Sequence, residues 1–350
     1  MSTILILGNS NKRFSGVTST MLQVLPVQSQ LIETWVMGPH NLPDGQPWLG
    51  FWACLSKIRS AEYRDTTFVF HARRNDEMIQ GLLLRAFSRA KFKVFFTSTA
   101  QRFHSGFSRW LMCQVDRVIS TCNAAASYLT PRPTTLIPHG IDTSRFRPVA
   151  DKAAAMKALG YPGVKGVAIF GRVRHQKGVD VFVESLLAVL PHQSDVHGFV
   201  IGEVKSGDEA FVRTLQQQIA AAGLSERIHF LGKLPFEQLP HWFAAVDVAC
   251  ALSRNEGFGL TVLEAMASGT AVVASQAGAW PDILAAHDVG RLVPCGDVAA
   301  TSSALDALLG DDEARYGCAS RGVDAVAQHY TVAREAQALV ALVKDLAVSN

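Results

Sequence analysis

The feature that most limits how this chain can fold is an alternation. Short apolar runs rich in β-branched and aromatic residues, TILILG, TTFVFHA, KVFFTS, RVIST and TTLIPHG, recur through the first 140 residues. GVAIFG, HGFVIGE, RIHFLGKL, DVACALS and TAVVAS recur from residue 166 onward, with helix-like stretches between them. Apolar strands separated by helices belong in parallel sheets covered on both faces, because each parallel neighbour needs a crossover, and that crossover is a helix packed on the sheet. Two series therefore predict two doubly wound α/β domains, and at 350 residues the chain is too long for one ordinary core. The break falls in IDTSRFRPVADKAAAMKALG, where Pro148 closes an irregular polar stretch ahead of an Ala/Lys/Leu helix pattern. The expected division is 1–148 and 149–330, with the linker inside 141–150. Residues 331–350 place Ala333, Ala336, Leu339, Val340 and Val343 on one helical stripe, which is expected to pack back on the first domain.

Several classes are disfavoured. No apolar run approaches the ~20 residues that span a bilayer, and MSTILILGNS enters a strand without a basic leader, so the expected location is cytoplasmic. Cys54, Cys113, Cys122, Cys250, Cys295 and Cys318 form no C-x-x-C pair, which suits free, mostly buried thiols and no zinc site. Charge is uneven: 17 Lys and Arg against 8 Asp and Glu in residues 1–150, a balance of +9, and 16 against 22, a balance of −6, in 151–350. The basic half suits an anionic partner, or is a solvated face. The acidic half and the lack of a reader motif argue against nucleic acid.

In open parallel sheets ligands bind beyond the carboxyl ends of the strands. GVAIFG is followed by RVRHQKG, carrying Arg172, Arg174, His175 and Lys177 ahead of a helix; DVACALS is followed by RNEGFG and a helix from about Leu260. Glycines, cations and helix N-termini together suit a phosphate group. Each has a plain alternative: Arg172 and Lys177 as solvated loop charges, Glu256 as a carboxylate on a helix dipole. ILGNSNKRFSG is not the dinucleotide fingerprint G-x-G-x-x-G. Glu264 lies in TVLEAMASG, an apolar helix that should be buried, so its carboxylate needs donors from ligand hydroxyls or a structural partner.

Taken together, GR-x4-KG at Gly171–Gly178 and E-G-F-G-L-x-x-x-E-A-M-A-x-G from Glu256 closely resemble the C-terminal nucleotide-sugar domain of retaining glycosyltransferases of the GT-B fold, family 4. The resemblance extends to HGID at His139–Asp142 and FLGKLP at Phe230–Pro235. It implies two Rossmann-like domains facing a central cleft. It implies that Glu264 binds the donor ribose, Glu256 lies near the donor sugar hydroxyls, and Gly257, Phe258, Gly259 and Leu260 line sugar or phosphate. Arg172 and Lys177 would clamp the diphosphate, with Gly16 of SGV brought against the same phosphates. Such a site stabilises the departing diphosphate with preorganised donors, and the chain contains no Asp-x-Asp pair, so no metal and no other cofactor are expected. One departure is evident: the V-x-T-x-H histidine of many members is absent from VFFTSTAQRFH, leaving His104 or His71 to take its role.

The loops HARRNDEM and TSTAQRFHSGFSRW are similar to a bacterial subgroup that adds mannose to the acidic inner core of lipopolysaccharide. This implies GDP-mannose as donor and an anionic glycolipid as acceptor, contacted by His71, Arg73, Arg102 and His104. Another donor of the UDP-glucose type, with an exopolysaccharide acceptor, stays open. An epimerase or phosphorylase of the same fold would keep the cradle but not need the basic first half, and an inactive sugar-nucleotide-binding protein would be expected to lose one of Glu256, Glu264, Arg172 or Lys177, so these are less expected. Arg85, Arg89, Lys91 and Lys93 beside Leu82, Leu83, Phe87 and Phe92 form either a surface for peripheral contact with an anionic membrane or a core-facing helix with a solvated basic back.

Overall fold

The computed structural model describes residues 2–13 and 16–349. It divides into two compact units, Met1–Gly140 with Thr331–Asn350, and Ile141–Tyr330.

Unit 1 holds five parallel strands, β1 (Ser2–Gly8), β2 (Thr34–Met37), β3 (Thr66–Ala72), β4 (Lys91–Ser98) and β5 (Arg117–Ser120), in the order β2-β1-β3-β4-β5. Successive side chains point to opposite faces, so β1 feeds two cores. Ile4 and Ile6 join Phe68 and Phe70 under helices Phe51–Ile58, Asn75–Ser88 and Gly106–Met112. Leu5 and Leu7 join Val69 under helices Gly16–Leu31 and Val332–Val348. The stripe of that last helix differs slightly from expectation, with Val332 and Glu335 inward and Ala333 exposed. TTLIPHG forms only a bridge from Leu136 to Ser120, since Pro133 and Pro138 supply no ladder donors. The four-residue β2 is too short for any pattern to announce it.

Unit 2 holds six parallel strands, β6 (Lys165–Phe170), β7 (Val196–Ile201), β8 (Ile228–Gly232), β9 (Val248–Ala251), β10 (Ala271–Ser275) and β11 (Gly290–Val293), in the order β11-β10-β9-β6-β7-β8. The chain starts in the middle at β6, works outward to β8, then crosses to β9 on the other side. Connections after β6 and β9 therefore diverge and leave a crevice at their carboxyl ends.

The boundary lies at 140/141, not 148/149. The polar look of IDTSRFRP conceals Ile141 and Phe146, which are buried in unit 2, with Phe146 edge-on to Phe243 at 5.7 Å. All six cysteines are free; Cys54, Cys122, Cys250 and Cys318 are buried, while Cys113 and Cys295 are exposed.

Within unit 1 the C-terminal helix is anchored by Glu335, whose carboxylate accepts from Gly140 N and pairs with His139 Nδ1, both at 2.8 Å in a buried position. Removing a buried acceptor leaves its donors unsatisfied, at about 1–3 kcal/mol. Glu335→Ala is therefore expected to lower the urea midpoint clearly. Asp345→Ala, which breaks an exposed pair with Arg117 at 3.4 Å, should change stability by less than about 1 kcal/mol. Equal effects in the two variants would contradict this account.

Candidate functional site

Two loops meet at the switch point of unit 2, one running from Gly171 to Gly178 after β6, the other from Leu252 to Gly259 after β9. Gly178 makes the meeting possible: its φ is +70°, and a Cβ there would lie 2.1 Å from Leu252 O. Only glycine tolerates both the left-handed backbone and that approach. Gln176 Nε2 donates to Asn255 O at 2.9 Å, and Arg254 N donates to Gln176 O at 2.8 Å. The Arg254 guanidinium forks onto Asp180, in the first turn of the helix after Gly178, at 2.9 and 2.7 Å. Burial pushes the Asp180 carboxyl up, but the hydrogen bonds and charge of Arg254, with His175 adding to them, hold it below its ordinary value.

On this frame Lys177 Nζ is paired with the Glu256 carboxylate. Ser253 Oγ donates to the same Glu256 oxygen at 3.1 Å, and Ser275 Oγ fixes Ser253 by donating to its carbonyl at 2.6 Å. Phe258 turns its ring into the core. Gly259, at φ +85°, makes the turn into helix Leu260–Ala267, and Trp280 Nε1 holds its carbonyl at 2.9 Å. No side chain caps that helix, and Leu260 at its start is half-buried. Gly-Phe-Gly is thus a turn pinned from behind that leaves a helix N-terminus facing outward.

Beside it a cavity of about 450 Å³ is lined by Arg172 and Glu264, with Phe170, Leu234, Phe236 and Phe243 among its apolar walls. Glu264 is half-buried, and among the described residues no side chain or backbone group donates to its carboxylate or pairs with it. Burial pushes it up to about 7, against the lowering charge of Arg145. The structural partner that could have satisfied this carboxylate is not found among those residues, so its acceptor capacity faces the cavity. Arg172 is half-buried and likewise has no carboxylate partner among the described residues.

The remaining expected site residues lie in unit 1. Gly16 is exposed at the start of its helix, and a Cβ there meets nothing within 4 Å; the adjoining Ser15 lies outside the described residues. His71 is buried, stacked on Phe95 at 4.2 Å, with Nε2 2.7 Å from Thr97 Oγ1. Burial, then the charges of Arg73 and His139, push it well below its usual range, so it is neutral. A direct acceptor contact is closed to it. Arg73 is half-buried, with one guanidinium nitrogen on Gly8 O at 3.2 Å and its backbone N on Glu77 Oε2 at 2.7 Å. Arg102 is exposed, and half-buried His104 bonds Ser98 Oγ at 3.1 Å.

The surface expected at residues 82–93 is redrawn. Arg85 and Lys93 share Asp116 at 3.2 and 3.6 Å, and Phe92 is buried. Of the expected set Leu83, Phe87, Arg89 and Lys91 are exposed, and the exposed surface continues to Ile79 on the same helix and to Phe107 and Trp110 on its neighbour, with Arg102 and Arg109 exposed as well. Among the described residues no helix is long and apolar enough to cross a membrane.

Residues 153–323 match the family described as glycosyl transferases group 1. The chain also matches the structure of Anabaena HepE in complex with UDP, with a TM-score of 0.80 over 99% of this chain and 100% of that one, at 20% identity, a likeness of fold. With the parallel sheets and the cradle at the switch point, these make the chain a glycosyltransferase of the GT-B fold. It is 41% identical over 343 residues to the lipopolysaccharide core biosynthesis mannosyltransferase LpsB of Rhizobium meliloti strain 1021, covering 97% of this chain and 96% of that protein. It is 39% identical to the corresponding LpcC of Rhizobium leguminosarum bv. viciae, covering 99% and 97%. The crystallised C-terminal domain of LpcC from Francisella tularensis is 37% identical, with a TM-score of 0.53, and covers 55% of this chain and 99% of that domain. The chain belongs to the family of these core mannosyltransferases.

Arg254, Asp180, Ser253 and Trp280 escaped the reading of the sequence although Arg254 and Ser253 stand in the loop it singled out. Arg254 and Asp180 are partners 74 residues apart, Trp280 holds a backbone carbonyl 21 residues away, and Ser253, only three positions from Glu256, is turned onto it by the loop fold, which no spacing announces.

Glu264 also has a consequence for stability. Its folded value of about 7 lies above the ordinary 4.5, so between these values the folded protein holds a proton that the unfolded chain has released. Stability is therefore lost as pH rises through this window, by up to about 3 kcal/mol. Glu264→Gln is expected to be more stable than wild type to urea at pH 8, the difference vanishing below pH 4.5. A variant no more stable at pH 8 would refute the donor-free carboxylate.

Proposed function

We propose that this chain transfers mannose from GDP-mannose to the acidic, lipid-linked inner core of lipopolysaccharide, with retention of anomeric configuration and without a metal ion, at the cytoplasmic face of the membrane. The observation that carries the proposal is the near-full-length similarity to LpsB, 41% identical and named for core mannosyl transfer. The cradle gives it chemistry. Arg172 and Lys177 bind the donor diphosphate, and the helix N-terminus at Gly259–Leu260 adds its dipole. Glu264 accepts from the ribose hydroxyls. Lys177, paired with Glu256 when no donor is bound, turns toward the phosphate and leaves Glu256 for the sugar hydroxyls. The bond from C1 to the β-phosphate oxygen breaks while C1 bonds to the acceptor oxygen on the same face. The acceptor proton passes to the departing phosphate oxygen, whose growing charge the two cations stabilise.

Contacts that strengthen as charge develops lower the barrier, whereas ribose contacts are alike in ground and transition states. Lys177→Ala should therefore reduce kcat by about 10- to 100-fold, more than it weakens GDP binding. The wild type should stay active in EDTA, and NMR of the product should show the donor's own anomeric configuration. Activity lost in EDTA and restored by manganese, or an inverted product, would refute the mechanism.

Arg73 and Arg102 fit acceptor carboxylates, and the apolar and cationic residues near Phe107 and Trp110 fit an anionic bilayer that presents the acceptor. Esterifying the acceptor carboxylates should raise KM several-fold. Replacing Phe107 and Trp110 by Ser should reduce sedimentation with phosphatidylglycerol vesicles, and salt should weaken whatever binding remains. An acceptor used equally well in both forms, by a protein indifferent to those vesicles at low salt, would remove support for the acidic glycolipid.

A further inference from the structure

The cavity that holds Arg172 and Glu264 carries two further charged side chains, Glu203 and Lys233. Both are exposed at its mouth, and among the described residues neither forms a side-chain hydrogen bond or an ion pair, with each other or with a third group. Their placement comes from the backbone. β7 and β8 run parallel with Ile201 opposite Gly232, and Gly202 N donates to Gly232 O at 2.9 Å. Glu203 follows the first glycine and Lys233 the second, so an acid and a base leave adjacent strand ends one register step apart, on strands about 4.8 Å from each other. Neither loop is free to drift. A Cβ on Gly202 would lie 1.8 Å from Gly171 O, and Glu203 O accepts from Val173 N at 3.0 Å. The walls next to the pair, Leu234, Pro235, Phe236 and Leu239, are apolar and suit the faces of a planar ring.

We propose that Glu203 and Lys233 select guanine as the base of the donor, Lys233 donating to O6 and Glu203 accepting from N1–H and the 2-amino group. The inference rests on the reading of this cavity as the nucleotide-sugar site and deepens it. With the diphosphate at Arg172 and the ribose at Glu264, these are the charged groups of the lining left to meet the base. An ammonium next to a carboxylate matches an edge on which an acceptor is followed by two donors, which is guanine. Uracil presents acceptor, donor, acceptor, so a carboxylate on that edge meets O2 and is repelled. Adenine presents its amino donor where Lys233 needs an acceptor. Discrimination thus comes as much from charges left unpaired by the wrong base as from bonds to the right one.

The test is titration calorimetry of the full chain with GDP, UDP and inosine diphosphate, which keeps O6 and N1–H but lacks the 2-amino group. The wild type should bind GDP more tightly than inosine diphosphate, and inosine diphosphate more tightly than UDP. Glu203→Ala should lose about 10- to 100-fold in GDP affinity, bring GDP and inosine diphosphate to nearly equal affinity, and not weaken UDP. Lys233→Ala should weaken GDP and inosine diphosphate by the same factor. A Glu203→Ala protein that keeps the wild-type ratio of GDP to inosine diphosphate, or that weakens all three nucleotides alike, overturns the assignment while leaving GDP as the donor nucleotide. A wild type that prefers UDP overturns the guanine donor itself, so the first titration separates the two failures.

Discussion

Everything at the cradle of unit 2 depends on one close approach, that of Gly178 to the carbonyl of Leu252. It brings the loop after β6 against the loop after β9, and hence Lys177 onto Glu256. The approach is sterically possible because residue 178 has no side chain, and the fork of Arg254 on Asp180 holds it. A switch point by itself only opens a crevice between diverging connections. The glycine and the half-buried ion pair turn that crevice into a surface with charges at defined places.

Beside the paired Lys177 and Glu256 stand groups the protein does not satisfy. Glu264 has no donor among the described residues and is pushed toward neutrality, Arg172 has no carboxylate, and the helix at Leu260 starts without a side-chain cap. Each would be a defect in a structural region, since unpaired charge and uncapped N–H groups cost stability. Arg172 and Glu264 line one cavity of about 450 Å³, into which their unspent charge and acceptor capacity face. Ser253, Ser275 and Trp280 are the opposite kind of residue, fully engaged, and they hold the loop so that its unsatisfied members stay where they are.

Unit 1 shows the same division of labour at the β1/β3 switch point. Glu77 is fully buried and spends its carboxylate on Arg73 N, Arg74 and Ser10, which fixes the start of the loop that carries Arg73. His71, one strand position away from that loop, is neutral and enclosed, so its part in this unit is to pack on Phe95 and orient Thr97.

Much of this protein was legible in its sequence because the determining features are local. Alternating strands and helices declared parallel α/β units, since period and length can be read within a short window. GR-x4-KG and the two glutamates eight positions apart declared the two loops that meet at the switch point of unit 2, because a turn before a helix needs its glycines and charges at fixed spacing. What the sequence could not declare is whatever depends on distant segments meeting. The unit boundary slipped because Ile141 and Phe146 are buried in unit 2, Phe146 against Phe243 about a hundred positions away. His71 was a candidate for the role of the absent cleft histidine, and only the fold shows it buried against Phe95, while Arg85 and Lys93 looked like free cations until Asp116 was placed beside them. Exposure, ionisation and pairing are properties of an environment, and for these residues that environment is assembled only when the sheets are formed.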